Sequence, residues 1–178
     1  MLKYQEIGLK LILILLCVSS LLYANSRSER MFSVARPAVQ KDVAERNVVE
    51  EALIHFQAPK DRLPSLNQWI RSASGVTHID PVLLVCLIRT ESRFRKNAVS
   101  AKGYKGEAQT KRFSEFSSVN ILEGAEILRD KLSLSKGNMF EALARYKGGK
   151  DKKEARDQAR EILRLYHSEL KRWGLWNQ

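Results

Sequence analysis

The feature that most constrains the fold of this chain is an apolar run, residues 82–88, in which every position is hydrophobic. A run of this length is compatible with either a buried strand or a buried helix. Asp80 and Pro81 precede it, and these residue types cap an α-helix and occupy its first turn. Because the run also lacks the polar alternation of a half-buried strand, we predict a helix that is buried on all sides.

Helices are also predicted before this run. Apolar residues recur at helical spacing in residues 37–56, with charged residues between them. A short polar linker at residues 59–64 follows, and its second proline, Pro64, suits the first turn of a helix over residues 65–73. Gly75 is predicted to end that segment.

Three more helices are predicted after the run. Asn120 is expected to cap the first of them, and residues 139–146 form the second, which Gly148 and Gly149 end. Asp151 is expected to cap the last helix, whose outer face is rich in lysine and arginine. The buried stripe of this last helix is predicted at Ala155, Ala159, Ile162, Tyr166, Leu170 and Trp173.

The fold class predicted from these patterns is mainly all-α, with an optional small hairpin within residues 99–109. Three parts follow along the chain. Residues 1–24 combine a basic start with an uncharged apolar stretch shorter than the ~20 residues of a spanning helix, which is typical of a signal peptide. A short signal anchor is the alternative. Residues 25–63 form an amphipathic helix and linker, and residues 64–176 form one domain that includes the basic C-terminal helix.

Charge, cysteine and histidine content indicate which partners, disulfides and metals to expect. The net charge is +11, which favours anionic partners. The signal-like residues 1–24 predict export to the periplasm or cell envelope, with anchoring in the membrane as the alternative. No recognised nucleic-acid-binding motif is present, so we expect the anionic partner to be a wall polymer or a membrane surface and not a nucleic acid. Cys86 is the only cysteine after the apolar start, so no internal disulfide is expected. The histidines, at positions 55, 78 and 167, lack metal-ligand spacing, and we predict neither a metal nor a cofactor.

Glu91 is the main candidate for chemistry, because it lies where the apolar helix is expected to end. Burial and the negative end of the helix dipole both disfavour a carboxylate, so both raise the pKa of such a group. A general acid needs that protonated state near neutral pH. Arg89, Arg93 and Arg95 oppose this effect if their guanidinium groups face the carboxylate rather than solvent.

The motifs around Glu91 occur in a specific order. Residues 79–109 contain, in turn, Asp-Pro, the apolar run, Glu-Ser-Arg-Phe, Asn-Ala-Val-Ser, Lys-Gly and Gly-Glu-Ala-Gln. Asn120 and Ile121 follow with Gly124 and Leu128, and then Ala-Leu-Ala-Arg-Tyr-Lys-Gly-Gly at 142–149. Over roughly residues 66–149, this succession closely resembles the catalytic domain of the soluble lytic transglycosylases, which are relatives of goose-type lysozyme.

The resemblance implies a lysozyme-like fold and cleavage of peptidoglycan glycan strands. Glu91 matches the family's catalytic glutamate, and Ser92 matches the serine after it. Gln109 matches the glutamine of a Gly-Leu-Met-Gln motif, and Tyr146 matches the tyrosine of an Ala-Tyr-Asn motif. These last three are therefore predicted to bind substrate. Such an enzyme uses one carboxyl group as acid and then base and forms a 1,6-anhydromuramoyl product.

The chain departs from the family's pattern at Glu107, Ala108 and Lys147. Glu107 is interpreted as a solvated surface residue, or alternatively as a second carboxylate that activates water in a hydrolytic muramidase. Glu115 is another candidate for that role. Lys147 is expected either to contact an anionic peptide stem or to extend the basic surface.

The sequence leaves open whether the protein cuts glycan or only binds it, and what cutting would serve in the cell. A non-catalytic peptidoglycan-binding protein on the same fold is the alternative to both enzymes. Local cutting of glycan strands serves general wall turnover or makes room for a secretion or conjugation apparatus, and the sequence does not choose between these uses.

Overall fold

The protein is mainly helical in the computed structural model, which describes residues 47–112 and 115–176. Within these residues the α-helices are, in chain order, α1 (Val48–His55), α2 (Leu63–Thr77), α3 (Pro81–Ser92), α4 (Ser117–Leu134), α5 (Met139–Tyr146) and α6 (Lys153–Arg172). A 3₁₀ turn at Lys60–Arg62 leads into α2. The predicted all-α class is confirmed, and these residues contain no β-strand.

Helix α3 is the central element of the fold. The Asp80 carboxylate accepts hydrogen bonds from the amides of Val82, at 2.8 Å, and Leu83, at 3.2 Å, and Pro81 begins the helix as predicted. Residues 82–88 are each at most 2% exposed, which confirms a helix buried on all sides. Burying a leucine or isoleucine side chain contributes about 1.5–3 kcal/mol, so this run supplies much of the core.

Three of the other described helices pack directly on α3. Helices α1, α2 and α6 all pack on α3, while α4 packs on α2 and α5, and α5 packs on α6. Helix α1 is also attached to α6 through a contact between His55 Nδ1 and the buried carboxylate of Glu169, at 2.5 Å. The predicted helix at residues 37–56 therefore appears as α1 in its second part, and residues 37–46 lie outside the described residues.

Several predicted helix ends are wrong. Helix α2 contains Gly75 and continues to Thr77, after which His78 takes a left-handed conformation with φ 58°. Asn120 does not cap α4, because its side chain is hydrogen-bonded to the loop at Ala108 instead. The helix begins at Ser117, so Asn120 lies inside it. Asp151 does not cap α6, because a turn between Gly149 and Lys152 delays the start of that helix. In contrast, helix α5 has the predicted bounds.

Helix α6 presents its predicted stripe to the core. Ala155, Ala159, Ile162, Tyr166 and Leu170 are buried, and Trp173 is partly buried. The outer face is less cationic than its lysines and arginines suggested, since Arg160 pairs with Asp157 and Arg164 pairs with Glu161.

The segment between α3 and α4 forms a loop instead of the optional hairpin. Two isolated antiparallel bridges join Val99 to Lys105 and Lys105 to Thr110, without any strand in the part of the loop that is described. Gly103 and Gly106, with φ of 78° and 81°, turn the backbone too often for a strand to extend.

No single helix of residues 47–112 and 115–176 is long and apolar enough to cross a membrane, although the segments Lys60–Thr77 and Pro81–Ser92, bent by 119°, meet the length and composition criteria together. The predicted signal peptide or signal anchor lies outside the described residues.

Candidate active site

Glu91 lies in the last turn of α3, where the chain reverses direction sharply. Arg93 and Phe94 both have positive φ, 53° and 62°, which costs about 1–2 kcal/mol for each non-glycine residue. The side chain of Phe94 is fully buried, so the chain returns to the core immediately after Arg93. Burial of this ring, together with a 2.8 Å hydrogen bond from Arg62 Nη1 to the Phe94 carbonyl, offsets the strain of the turn.

The Glu91 carboxylate is paired with Lys147. Its Oε2 atom lies 2.7 Å from Lys147 Nζ, and the two side chains are only 8% and 11% exposed. Burial raises the pKa of Glu91 above its ordinary value, and the charge and hydrogen bond of Lys147 oppose that rise without cancelling it. The expected rise is confirmed, but the opposing cation is Lys147 instead of the nearby arginines. The expectation that Lys147 extends the basic surface is wrong.

Tyr146 is hydrogen-bonded to the loop between α3 and α4. Its hydroxyl donates a hydrogen bond to the Ala108 carbonyl, at 2.8 Å. The pKa of the phenol is raised well above its ordinary value, chiefly by burial and further by the negative charges of Glu91 and Glu123. Tyr146 is therefore affected by the charge of Glu91 and is hydrogen-bonded to Ala108, the neighbour of Gln109.

Gln109 stabilises the loop from within. Its side-chain Nε2 donates to the carbonyl oxygens of Ala98, at 3.0 Å, and Gly106, at 2.8 Å, while its backbone has a positive φ of 51°. Ser92 is buried, and its hydroxyl donates to the Ile88 carbonyl at 3.4 Å. The structure thus assigns both side chains local hydrogen bonds, and their binding of substrate stays a prediction.

Asn120 fixes the loop on helix α4. Its Oδ1 accepts from the Ala108 amide at 2.8 Å, and its Nδ2 donates to the Lys105 carbonyl and to Thr110 Oγ1. The approach is close enough that a Cβ atom on Gly106 would lie 2.6 Å from the Asn120 side chain, and one on Gly124 would lie 2.4 Å from the Ala108 Cβ. The small Ala108, one of the departures from the family's pattern, fits this contact.

Glu107 is a structural residue. It is 1% exposed, accepts a hydrogen bond from Ser117 Oγ at 2.6 Å and forms an ion pair with Arg62. Arg62 Nη2 also donates to Ser117 Oγ at 3.1 Å. The interpretation of Glu107 as a solvated surface residue is therefore wrong. Its alternative role as a water-activating carboxylate stays a prediction, and in that role its carboxylate would also be bound to Arg62 and Ser117. Glu115, the other candidate, is exposed.

Three functional candidates were missed by the sequence reasoning or given another role there: Arg62, Glu123 and Lys147. Arg62 and Glu107 are 45 residues apart, and no local pattern joins them. Glu123 lies next to Gly124, whose added Cβ would be 3.1 Å from the Tyr146 hydroxyl. The departure at Lys147 was a usable signal, because a change of residue type beside a candidate tyrosine marks a change in the electrostatics of the site.

Taken together, Glu91, Lys147, Tyr146 and the loop at Ala108 form the candidate site. A buried carboxyl group whose pKa is raised is a candidate for acid and base chemistry, and the adjacent Lys147 opposes that rise. The described residues contain no group of three histidine, cysteine or acidic side chains that could hold a metal, and the absence of a metal and a cofactor stays a prediction. Neither family models nor curated proteins match this chain.

Proposed function

We propose that this protein is an exported peptidoglycan lytic transglycosylase on a lysozyme-like fold, with Glu91 as its acid and base. The main supporting observation is the position of Glu91 at the end of a fully buried helix, where burial raises its pKa. The charge of Glu91 acts on Tyr146, whose hydroxyl is hydrogen-bonded to Ala108 in the loop that carries Gln109. The resemblance stated above predicts these residues as partners in one site.

In the proposed mechanism, protonated Glu91 donates its proton to the oxygen that links N-acetylmuramic acid to N-acetylglucosamine. The bond from this oxygen to the anomeric carbon breaks, and the acetamido group of the muramic residue stabilises the oxocarbenium charge. The Glu91 carboxylate then removes the proton of the C6 hydroxyl, whose oxygen attacks the anomeric carbon and closes the 1,6-anhydro ring. One carboxyl group is sufficient, whereas ordinary retaining and inverting glycosidases use two.

The structure also suggests a specific form of the hydrolytic alternative. Glu107 is bound to Arg62 and Ser117, so a muramidase would draw its second carboxylate more readily from Glu123, whose charge acts on Tyr146. Glu123 is half-buried on α4 and is the better candidate to activate a water molecule. This alternative predicts a reducing-end product.

The test is mass spectrometry of the soluble products that the full chain, purified in a mild detergent, releases from isolated peptidoglycan. Glu91→Gln is compared with Glu115→Gln, an exposed control that removes the same charge, and with Glu123→Gln. We expect anhydromuropeptides from the parent and from both other variants, and none from Glu91→Gln. Reducing-end products that depend on Glu123 would instead establish the hydrolase. A folded parent that binds glycan without cutting it would identify a binding protein.

Export is part of the same proposal, because the substrate lies outside the cytoplasm. Fractionation of cells that express the full chain with a C-terminal tag is expected to place it in the periplasm or the envelope. Retention of the tagged chain in the cytoplasm would contradict the proposal.

A further inference from the structure

The ion pair between Glu91 and Lys147 poses a problem for acid catalysis. Lys147 Nζ lies 2.7 Å from the Glu91 carboxylate, and a cation at this distance stabilises the charged form of the acid. A carboxylate has no proton to donate to a glycosidic oxygen. The pair therefore has to open before Glu91 acts as an acid, and Lys147 then needs another anion, because an unpaired charge is costly at an 11% exposed side chain.

We propose that Lys147 couples proton uptake by Glu91 to an anionic group carried by the glycan substrate. The inference rests on the proposed function and adds a substrate class to it, namely carboxylate-bearing glycan. A substrate carboxylate takes the place of Glu91 beside Lys147, and Glu91 takes one proton from solvent. Charge is conserved at the lysine, which remains paired throughout. Lys147 is thus a positioning and specificity residue, while Glu91 transfers the proton.

The position of Lys147 in the fold allows this exchange. It is the C-cap residue that directly follows helix α5, and it is followed by Gly148 and Gly149, with φ of 115° and 145°. Only glycine adopts such conformations readily, so no side chain on these two residues restrains the backbone. The long, flexible stem of a lysine permits its ammonium group to move by several ångströms while the helix stays in place.

Among the charged groups near Glu91, Lys147 is the one that acts most strongly on the pKa of its carboxyl group. Tyr146 is the last residue of helix α5 and Lys147 is its C-cap, and Glu123 of α4 acts on the same tyrosine. Arg89, two residues before Glu91, acts on Glu161 of helix α6.

The loop that follows Glu91 supplies a field that attracts anions. Residues 93–112 contain seven lysines and arginines and one acidic residue, Glu107. Glu107 is buried in its ion pair with Arg62, so it does not present a negative charge to solvent. A basic loop of this kind raises the local concentration of anionic substrates. The peptide stems of peptidoglycan carry carboxylates, which match this field and the cation at Lys147.

The first test measures initial rates of cleavage by the full chain between pH 4 and 8. One substrate is native peptidoglycan, and the other is the same material with its carboxyl groups converted to amides by carbodiimide and glycinamide. Lys147→Met removes the cation and keeps most of the stem, and Lys171→Met on the exposed face of α6 removes the same charge elsewhere. We expect the parent and Lys171→Met to lose at least about tenfold in kcat/KM on the amidated substrate, the equivalent of one pKa unit.

For Lys147→Met, the kcat/KM values on the two substrates are expected to differ by less than about threefold. The cleavage rate of this variant is expected to fall at a pH about one unit higher than that of the parent, because the cation that favours the carboxylate form of Glu91 is gone. A Lys147→Met variant with the substrate preference and pH profile of the parent would overturn the inference while leaving the proposed function intact. If the parent cuts neither substrate, the proposed function itself fails.

A second measurement does not depend on cleavage. The side-chain carboxyl resonance of ¹³C-labelled Glu91, assigned by its loss in Glu91→Gln, is titrated in the parent chain. A soluble muramyl peptide with free carboxylates is expected to raise the pKa of Glu91, and its amidated counterpart is expected to leave it unchanged. Equal titration curves with both ligands at saturation would refute the coupling even if Lys147→Met did not fold.

Discussion

Replacement of Arg62 by methionine tests the electrostatic basis of the fold around the candidate site. Arg62 donates to the Phe94 carbonyl and to Ser117 Oγ, and it forms the ion pair with Glu107. Its removal leaves a carboxylate that is 1% exposed and that, among the described residues, still accepts a hydrogen bond from Ser117. The substitution therefore acts on the turn after Glu91 and on the loop before α4 at the same time.

The expected cost follows from the burial of the pair. Loss of one partner from a buried ion pair typically costs 3–5 kcal/mol, because the other charge is left uncompensated. Arg62 is 20% exposed and Ser117 still donates to Glu107, so water and one hydrogen bond compensate in part. We therefore expect the lower end of the range, about 3 kcal/mol, which is roughly a hundredfold decrease in the folding equilibrium constant.

Urea unfolding of the full chain at pH 7, followed by circular dichroism, measures this change. With a slope of about 2 kcal/mol/M, the midpoint is expected to fall by about 1–2 M. The matched control is Arg160→Met, which breaks an exposed pair with Asp157 and is expected to cost at most about 0.5 kcal/mol. The double variant Arg62→Met/Glu107→Met buries no unpaired charge and should be more stable than Arg62→Met alone.

Either of two results would refute this reasoning. One is a cost for Arg62→Met no larger than that for Arg160→Met. The other is a double variant as unstable as the sum of the Arg62→Met and Glu107→Met variants, which would show that the two side chains do not interact. Glu107→Gln is also expected to keep the cleavage activity per folded molecule, in contrast to Glu91→Gln.

Three further predictions concern packing and pH. Gly124→Ala should lower the free energy of unfolding by about 1–3 kcal/mol, because the new Cβ would lie 2.4 Å from the Ala108 Cβ. Gly75→Ala, whose Cβ would have nothing within 4 Å, should raise the free energy of unfolding by about 0.5–1 kcal/mol. Thermal unfolding of both variants measures these changes. Asn120→Ala should cost about 2–3 kcal/mol and speed hydrogen exchange of the Ala108 amide. Folding raises the pKa of Glu91 above its ordinary 4.5, so the folded state binds the carboxyl proton more tightly than the unfolded chain does. The free energy of unfolding should therefore fall as pH rises from 4.5 through the raised pKa. Urea unfolding at a series of pH values should show that Glu91→Gln removes this decline.

Local signals accounted for most of the secondary structure. The Asp80 cap, the bounds of α5 and the burial of Cys86 were all predicted correctly, because each depends on residues within one or two turns. Burial also raises the pKa of the Cys86 thiol, in agreement with an unreactive core residue. The wrong assignment of Asn120 has a clear reason. Asparagine is a common helix cap, but here its amide has partners in a distant loop.

The candidate site was predictable only in part. The position of Glu91 at the end of a buried helix followed from the sequence, and so did the direction of its pKa shift. The partner that opposes this shift did not follow, since Lys147 reaches Glu91 from the end of another helix. The exposure predicted for Glu107 was wrong for the same reason, because Arg62 approaches it from a segment 45 residues away.

The sequence by itself determined which segments are helical, which helix is fully buried and where an acid with a raised pKa is located. These properties depend on hydrophobic periodicity, capping residues and composition, which act over short distances along the chain. Only the tertiary structure decided which cation pairs with that acid, because electrostatic pairing depends on distance in space. The contacts of Lys147 with Glu91 and of Arg62 with Glu107 exist only once α5 and the turn before α2 have packed on the rest of the fold.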